Sequence, residues 1–156
     1  MNKSINSDYG YFYIVNIVKN MQISTTEKLE IIQDIIDKGF NVLTYEGSLA
    51  LYYACILNEQ ELILCLIKGH KVYLSLFQVC DIFYHTRSRN LLKLLIKYHK
   101  YSLEDVYRSI CEGISYLAPV GDPNTNMYKK QMAFEYKLKQ YIIYLSMKYT
   151  YKDLKI

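Results

Sequence analysis

The chain has no tryptophan, two prolines and six glycines among its 156 residues. Both prolines, Pro119 and Pro123, fall in one stretch, APVGDPNTN (118–126), which reads as a loop. The four cysteines, Cys55, Cys65, Cys80 and Cys111, form no CxxC pair, which speaks against a zinc site. Three of them sit inside apolar helical blocks, where a thiol behaves as a small hydrophobe. They read as reduced, buried, structural thiols of an intracellular protein. The longest apolar runs, YFYIVNIV and LILCLI, fall short of the roughly 20 residues that span a bilayer. The first ten residues are polar and carry no leader-like apolar core. Phosphate-loop, dinucleotide-binding, nucleophile-elbow and zinc-protease motifs are all missing. His70, His85 and His99 stand 15 and 14 residues apart with no ligand-type residue three or four places on, and read as exposed loop histidines. Together these absences predict no catalytic residue, no metal and no cofactor.

What is present is apolar and rich in tyrosine. Hydrophobic residues make up 51% of the chain, which argues against global disorder, and tyrosine occurs 18 times. Ile, Lys, Asn and Tyr are all well represented and have AT-rich codons, a compositional hint of an AT-rich genome. Tyrosine reads two ways: as a substitute for Phe and Leu in a core, or as contact area at an interface. The charge is uneven. Residues 1–86 carry six lysines and nine acids, a net of −3, whereas residues 87–156 carry thirteen Lys/Arg and six acids, a net of +7. A basic half of this kind can face an anionic partner.

Periodicity is helical throughout, with no useful strand-like alternation. KLEIIQDIID (28–37) places Leu29, Ile32 and Ile36 on one face with Ile31 and Ile35 beside them. Thr25 and Thr26 precede it as N-cap candidates, and Gly39 follows as a glycine just past the end. ELILCLIK (61–68) and NLLKLLIK (90–97) repeat the pattern after 31 and then 29 residues. Two short helices per unit, each with an apolar face only a neighbour can cover, are the mark of a solenoid.

The residues then become more specific. LEIIQDIIDKGFNV (29–42) resembles the second helix and exit loop of an ankyrin repeat, and GSLALYYAC (47–55) is similar to the family's GxTPLHxAA segment. Gly47, Leu51, Ala54 and Cys55 match that pattern, while Leu49, Ala50 and Tyr52 replace its Thr, Pro and His. The next unit, LFQVCDIFYHTRSRNLLKLLIKYHK (76–100), keeps the helices and lengthens the loop between them with residues 85–89. Such eroded repeats are common in ankyrin proteins of large DNA viruses. The resemblance implies one domain over 1–156, with degenerate repeats over about 10–101 and a helical cap over 102–156. The cap comprises a helix started by Ser102, with Asp105 three residues on, and ending near Leu117. After the loop at 118–126 comes one long helix with Met127, Phe134, Leu138, Tyr141 and Leu145 on its packed stripe and Lys129, Lys139 and Tyr136 opposite.

The expected architecture is therefore all-α: an ankyrin-like helical-repeat solenoid with a longer C-terminal capping helix. The resemblance implies a non-catalytic scaffold or adaptor, a viral protein engaging a host or virion protein, in the host cytoplasm or nucleus or in the virion. Its binding face would present Tyr45, Glu46, Tyr53, Phe77, Asp81 and Tyr84. The alternative is a nucleic-acid-associated protein. Lys130, Lys137 and Lys148 fall within about 20° of one another on the final helix, near Tyr141 and Tyr144, and lysines among aromatics can follow a phosphate backbone. The same lysines can instead lay their stems over a core edge.

Overall fold

The computed structural model describes residues 13–111 and 122–151, and every regular element among them is helical. Among the described residues there are eight α-helices and no strand: α1 (Tyr13–Lys19), α2 (Thr25–Asp37), α3 (Tyr45–Ile56), α4 (Gln60–Leu64), α5 (Leu76–Thr86), α6 (Arg89–His99), α7 (Leu103–Cys111) and α8 (Asn126–Tyr151). A π-helical turn, Cys65–Gly69, continues α4. The all-α class is the one expected. The helix end near Leu117 and most of the following loop lie outside the described residues. The chain divides into two compact units, residues 1–74 and 75–156.

In the first unit, the hydroxyl of Ser24 accepts a hydrogen bond from the Glu27 amide at 3.1 Å and starts α2. Thr25 and Thr26, the caps expected from sequence, are instead the first two helical residues. The buried face of α2 is also turned from the expected one. Ile32 and Ile35 are buried together with Lys28, while Leu29 and Ile36 are only half-buried and Ile31 is exposed. The cause is Lys28, whose ammonium donates to the Val18 carbonyl at the end of α1 (2.7 Å) and to Glu59 before α4 (2.5 Å). With its charge so partnered, a lysine can occupy a position that periodicity assigns to an apolar residue. Glycine closes α2 as expected. Gly39, at φ 102°, donates to Ile36 O, and the Phe40 amide reaches back to Ile35 O, a Schellman motif. Asn58, at φ 55°, plays the same part after α3 as an αL cap.

These caps end the helices sharply and keep them short. Helix α1 packs on α2 and on α3, α2 packs on α4, and α3 packs on α4. Ile14, Leu51, Leu62, Ile63 and Leu66 are fully buried in this unit, each contributing about 1.5–3 kcal/mol by leaving water. Gly47 sits in the first turn of α3 against the Val42 carbonyl, where an added Cβ would stand 1.6 Å from the oxygen. Only a glycine admits that approach.

The second unit starts at a capping box: Ser75 Oγ accepts from the Gln78 amide, and the Ser75 amide donates to Gln78 Oε1. The expected long loop at 85–89 is not there. Helix α5 runs to Thr86, Arg87 turns the chain at φ 54°, and Ser88 already caps α6 by accepting from the Leu91 amide at 3.1 Å. A left-handed residue followed by a serine cap reverses a chain in two residues, where composition suggested five. Ser102 accepts from the Asp105 amide at the start of α7. Helix α5 packs on α6 and α7, and α8 packs on α6 and α7. On α8 the buried residues are Glu135, Ile142, Leu145 and Ser146, with Phe134, Leu138 and Tyr141 half-buried beside them. Met127 departs from the expected stripe, being 72% exposed, because the first turn of α8 runs past the edge of the core. Lys139 departs as well: it is half-buried and paired with Glu135 at 3.0 Å.

Candidate functional site

The six residues expected to face a partner divide between the two units. In the first, Tyr45 opens α3 and is 68% exposed. Glu46, next to it, is committed to the fold: its Oε1 accepts a hydrogen bond from the Ile14 amide at 2.7 Å, tying α3 to the start of α1. Tyr53 is half-buried, edge-on to Tyr52 at 5.2 Å, with the Lys19 ammonium 4.6 Å from its ring centre. In the second unit Phe77 is exposed in the first turn of α5. Asp81 lies one turn further on and meets His85 Nε2 at 3.3 Å. Tyr84 lies against His85 and under the guanidinium of Arg87, 4.9 Å from its ring centre.

Two exposed side chains that the sequence reading passed over complete the picture in the first unit. Val42 and Val72, thirty residues apart, are both buried, and the residue after each is a large apolar one that faces water. Leu43 is 62% exposed and Tyr73 is 58% exposed. Ser48 Oγ of α3 donates to the Tyr73 carbonyl at 2.6 Å and holds the second loop against that helix. The signal was available in the sequence as GFNVL against GHKVY, thirty residues apart.

The described tyrosines lie mostly at or near the surface. Of the fourteen tyrosines whose burial is described, Tyr101 alone is buried. Seven of these fourteen are exposed and six are half-buried, so among the described residues only Tyr101 takes a core position.

A cleft of about 470 Å³ opens in the second unit, lined by Tyr84, Arg87, Met127, Lys130, Gln131 and Phe134. Residues 127, 130/131 and 134 are successive turns of one face of α8. The guanidinium carbon of Arg87 stands 4.3 Å from the Phe134 ring centre, and Phe134 stacks on Phe83 at 6.0 Å. Lys130 lines this cleft, whereas Lys137 and Lys148 are exposed further along α8, Lys148 lying 5.6 Å from the Tyr149 ring centre.

The thiols and imidazoles behave differently from the simplest expectation. Cys55 and Cys80 are buried, and desolvation pushes each thiol pKa up to about 12, far from a nucleophilic thiolate. Cys65 is only half-buried, with its pKa also raised by burial. Two of the three histidines, His85 and His99, are helical rather than loop residues. His70 closes the π-helical turn and meets Gln33 at 3.1 Å, and His85 and His99 lie in the last turns of α5 and α6. His99 packs against Tyr101 at 5.4 Å, and burial lowers its pKa to about 4. Among the described residues no group of three His, Cys, Asp or Glu could hold a metal, and no helix is long and apolar enough to cross a membrane.

In comparisons with known proteins, no family model, no curated protein and no solved structure matches this chain.

Proposed function

We propose that the chain is a non-catalytic protein-binding module whose helix pairs stack in the manner of a degenerate ankyrin-like solenoid, acting as a scaffold or adaptor. The observation that carries this reading is the pair Leu43 and Tyr73, each four residues past the glycine that follows its helix, Gly39 and Gly69. Each follows a buried valine, and each is a large apolar side chain more than half exposed. A repeat that holds a large apolar residue in water at the same place in successive units is suited to contact a partner there. The packing of α1 on α3 and of α2 on α4 supports the repeat, and the surface tyrosines supply rigid contact area. A viral source and a host or virion partner belong to the same proposal through the ankyrin resemblance.

The test is affinity capture from cells that express the tagged chain, comparing wild type with a Leu43→Ser/Tyr73→Ser double variant and with Tyr45→Ala. The expected result is loss of the same partner in the double variant, with helicity and melting unchanged. A partner retained at full yield by every variant overturns the assignment of this surface.

The nucleic-acid reading has one observation in its favour, the exposure of Lys130, Lys137 and Lys148 on α8. It requires binding that weakens steeply as salt rises. Absence of oligonucleotide binding at low salt disposes of it.

A further inference from the structure

Arg87 ends α5 in the left-handed region, and its guanidinium lies close to two rings, Tyr84 at 4.9 Å and Phe134 at 4.3 Å. Rings that close hold the guanidinium in place by cation–π attraction while leaving its in-plane N–H donors to be satisfied elsewhere. The nearest carboxylates along these helices are engaged: Asp81 with His85 and Glu135 with Lys139. Among the described residues neither Arg87 nor Lys130 has an acid partner. Both cations line the same cleft, which the exposed Met127 also lines.

We propose that this cleft is a docking site for an acidic peptide segment of a partner protein. Arg87 grips an oxyanion, a carboxylate or a peptide-borne phosphate, in its bidentate fork. Lys130 adds a second charge, and a neighbouring apolar side chain of the peptide rests on Met127. This deepens the protein-binding reading and rests on it. Charge complementarity selects the occupant: two cations without acids call for an anion, and a pre-positioned guanidinium fork matches the planar geometry of a carboxylate or phosphate. A nucleic-acid strand fits less well. The two rings of the cleft, Tyr84 and Phe134, already lie against Arg87, and Lys137 and Lys148 stand about 10 and 27 Å along α8 from Lys130 at 1.5 Å per residue.

The experiment is fluorescence anisotropy on the full chain with four labelled probes. These are an end-capped octapeptide of alternating leucine and glutamate, its glutamine counterpart, its phosphoserine counterpart and an eight-nucleotide oligothymidine. The glutamate or phosphoserine peptide is expected to bind and the glutamine peptide not to, and whichever of the two anionic peptides binds tighter names the oxyanion. Arg87→Gln should weaken that binding about 10- to 100-fold, the range of a lost charge-assisted hydrogen bond. Lys130→Gln should weaken it less, and Lys148→Gln should leave it unchanged. Circular dichroism checks that each variant keeps its helices, and should Arg87→Gln unfold, the pair Lys130→Gln and Lys148→Gln decides. The proposal is overturned if neither anionic peptide binds in a manner that depends on Arg87 or Lys130, or if oligothymidine binds tighter than both. It is also overturned if the variants abolish only concentration-dependent self-association, since the occupant is then a second copy. Any of these leaves the Leu43/Tyr73 capture result standing, so the two readings fail separately.

Discussion

The ammonium of Lys28, 1% exposed, lies 2.5 Å from the carboxylate of Glu59, thirty-one residues away. It also accepts no substitute easily, because it donates to the Val18 carbonyl and so joins the end of α1, the start of α2 and the turn before α4. Lys28→Met strands a buried carboxylate whose other oxygen already has no hydrogen-bond partner. A loss of about 3–5 kcal/mol is expected in urea unfolding. The double change Lys28→Met/Glu59→Leu removes both charges and should recover most of that loss. If the double variant is as unstable as the single one, the ion pair is not the source of the effect.

Two glycines should respond oppositely to the same substitution. Gly47→Ala drives a methyl into the Val42 carbonyl and should cost about 1–3 kcal/mol or more. An alanine at Gly69 has nothing within 4 Å of its Cβ, and the native φ there is not positive. Gly69→Ala should therefore be neutral or raise stability by about 0.4–1 kcal/mol. Melting curves of the two variants side by side measure the contrast.

Acid should weaken the second unit through His99. Its folded pKa is held down to about 4 by burial, below the ordinary value of 6.5. Between those values the unfolded chain binds the proton and the folded one does not. Stability is then fully present above about pH 6.5 and is lost as pH falls toward 4. His99→Gln should flatten this part of the stability profile, and an imidazole titration followed by NMR should show His99 neutral at pH 5.5.

Thiol labelling should follow burial. Cys65, half-buried, is expected to react before Cys55 and Cys80, whose pKa values near 12 leave almost no thiolate at neutral pH. Peptide mapping after a timed pulse of iodoacetamide gives the order. In denaturant the three should react alike. Rapid native labelling of Cys55 would show that α3 opens on that timescale.

Much of this protein was legible from its residues. The 3.6-residue periodicity of the 28–37, 61–68 and 90–97 segments specifies helices, and the caps Gly39 and Ser102 are local chemistry that needs no tertiary contact. The all-α class follows from those local terms alone. What periodicity could not supply is the identity of the buried positions where a polar group finds a distant partner. Lys28 is buried because Val18 and Glu59 receive its ammonium, and no window around residue 28 contains that information. The two-residue turn at Arg87 and Ser88 is a similar case. An arginine in the left-handed region costs energy in isolation, and here the rings of Tyr84 and Phe134, fifty residues apart in sequence, lie against its side chain. The surface position of the tyrosines, likewise, was undecidable from composition, because a phenol suits a core or an interface equally until its neighbours are known. The sequence by itself determined the all-α class and several of the helix caps, because both rest on local backbone and side-chain chemistry. Tertiary structure decided which charges are buried, which rings face water and where two cations are left without an acid, since each depends on groups that meet only after the helices have packed.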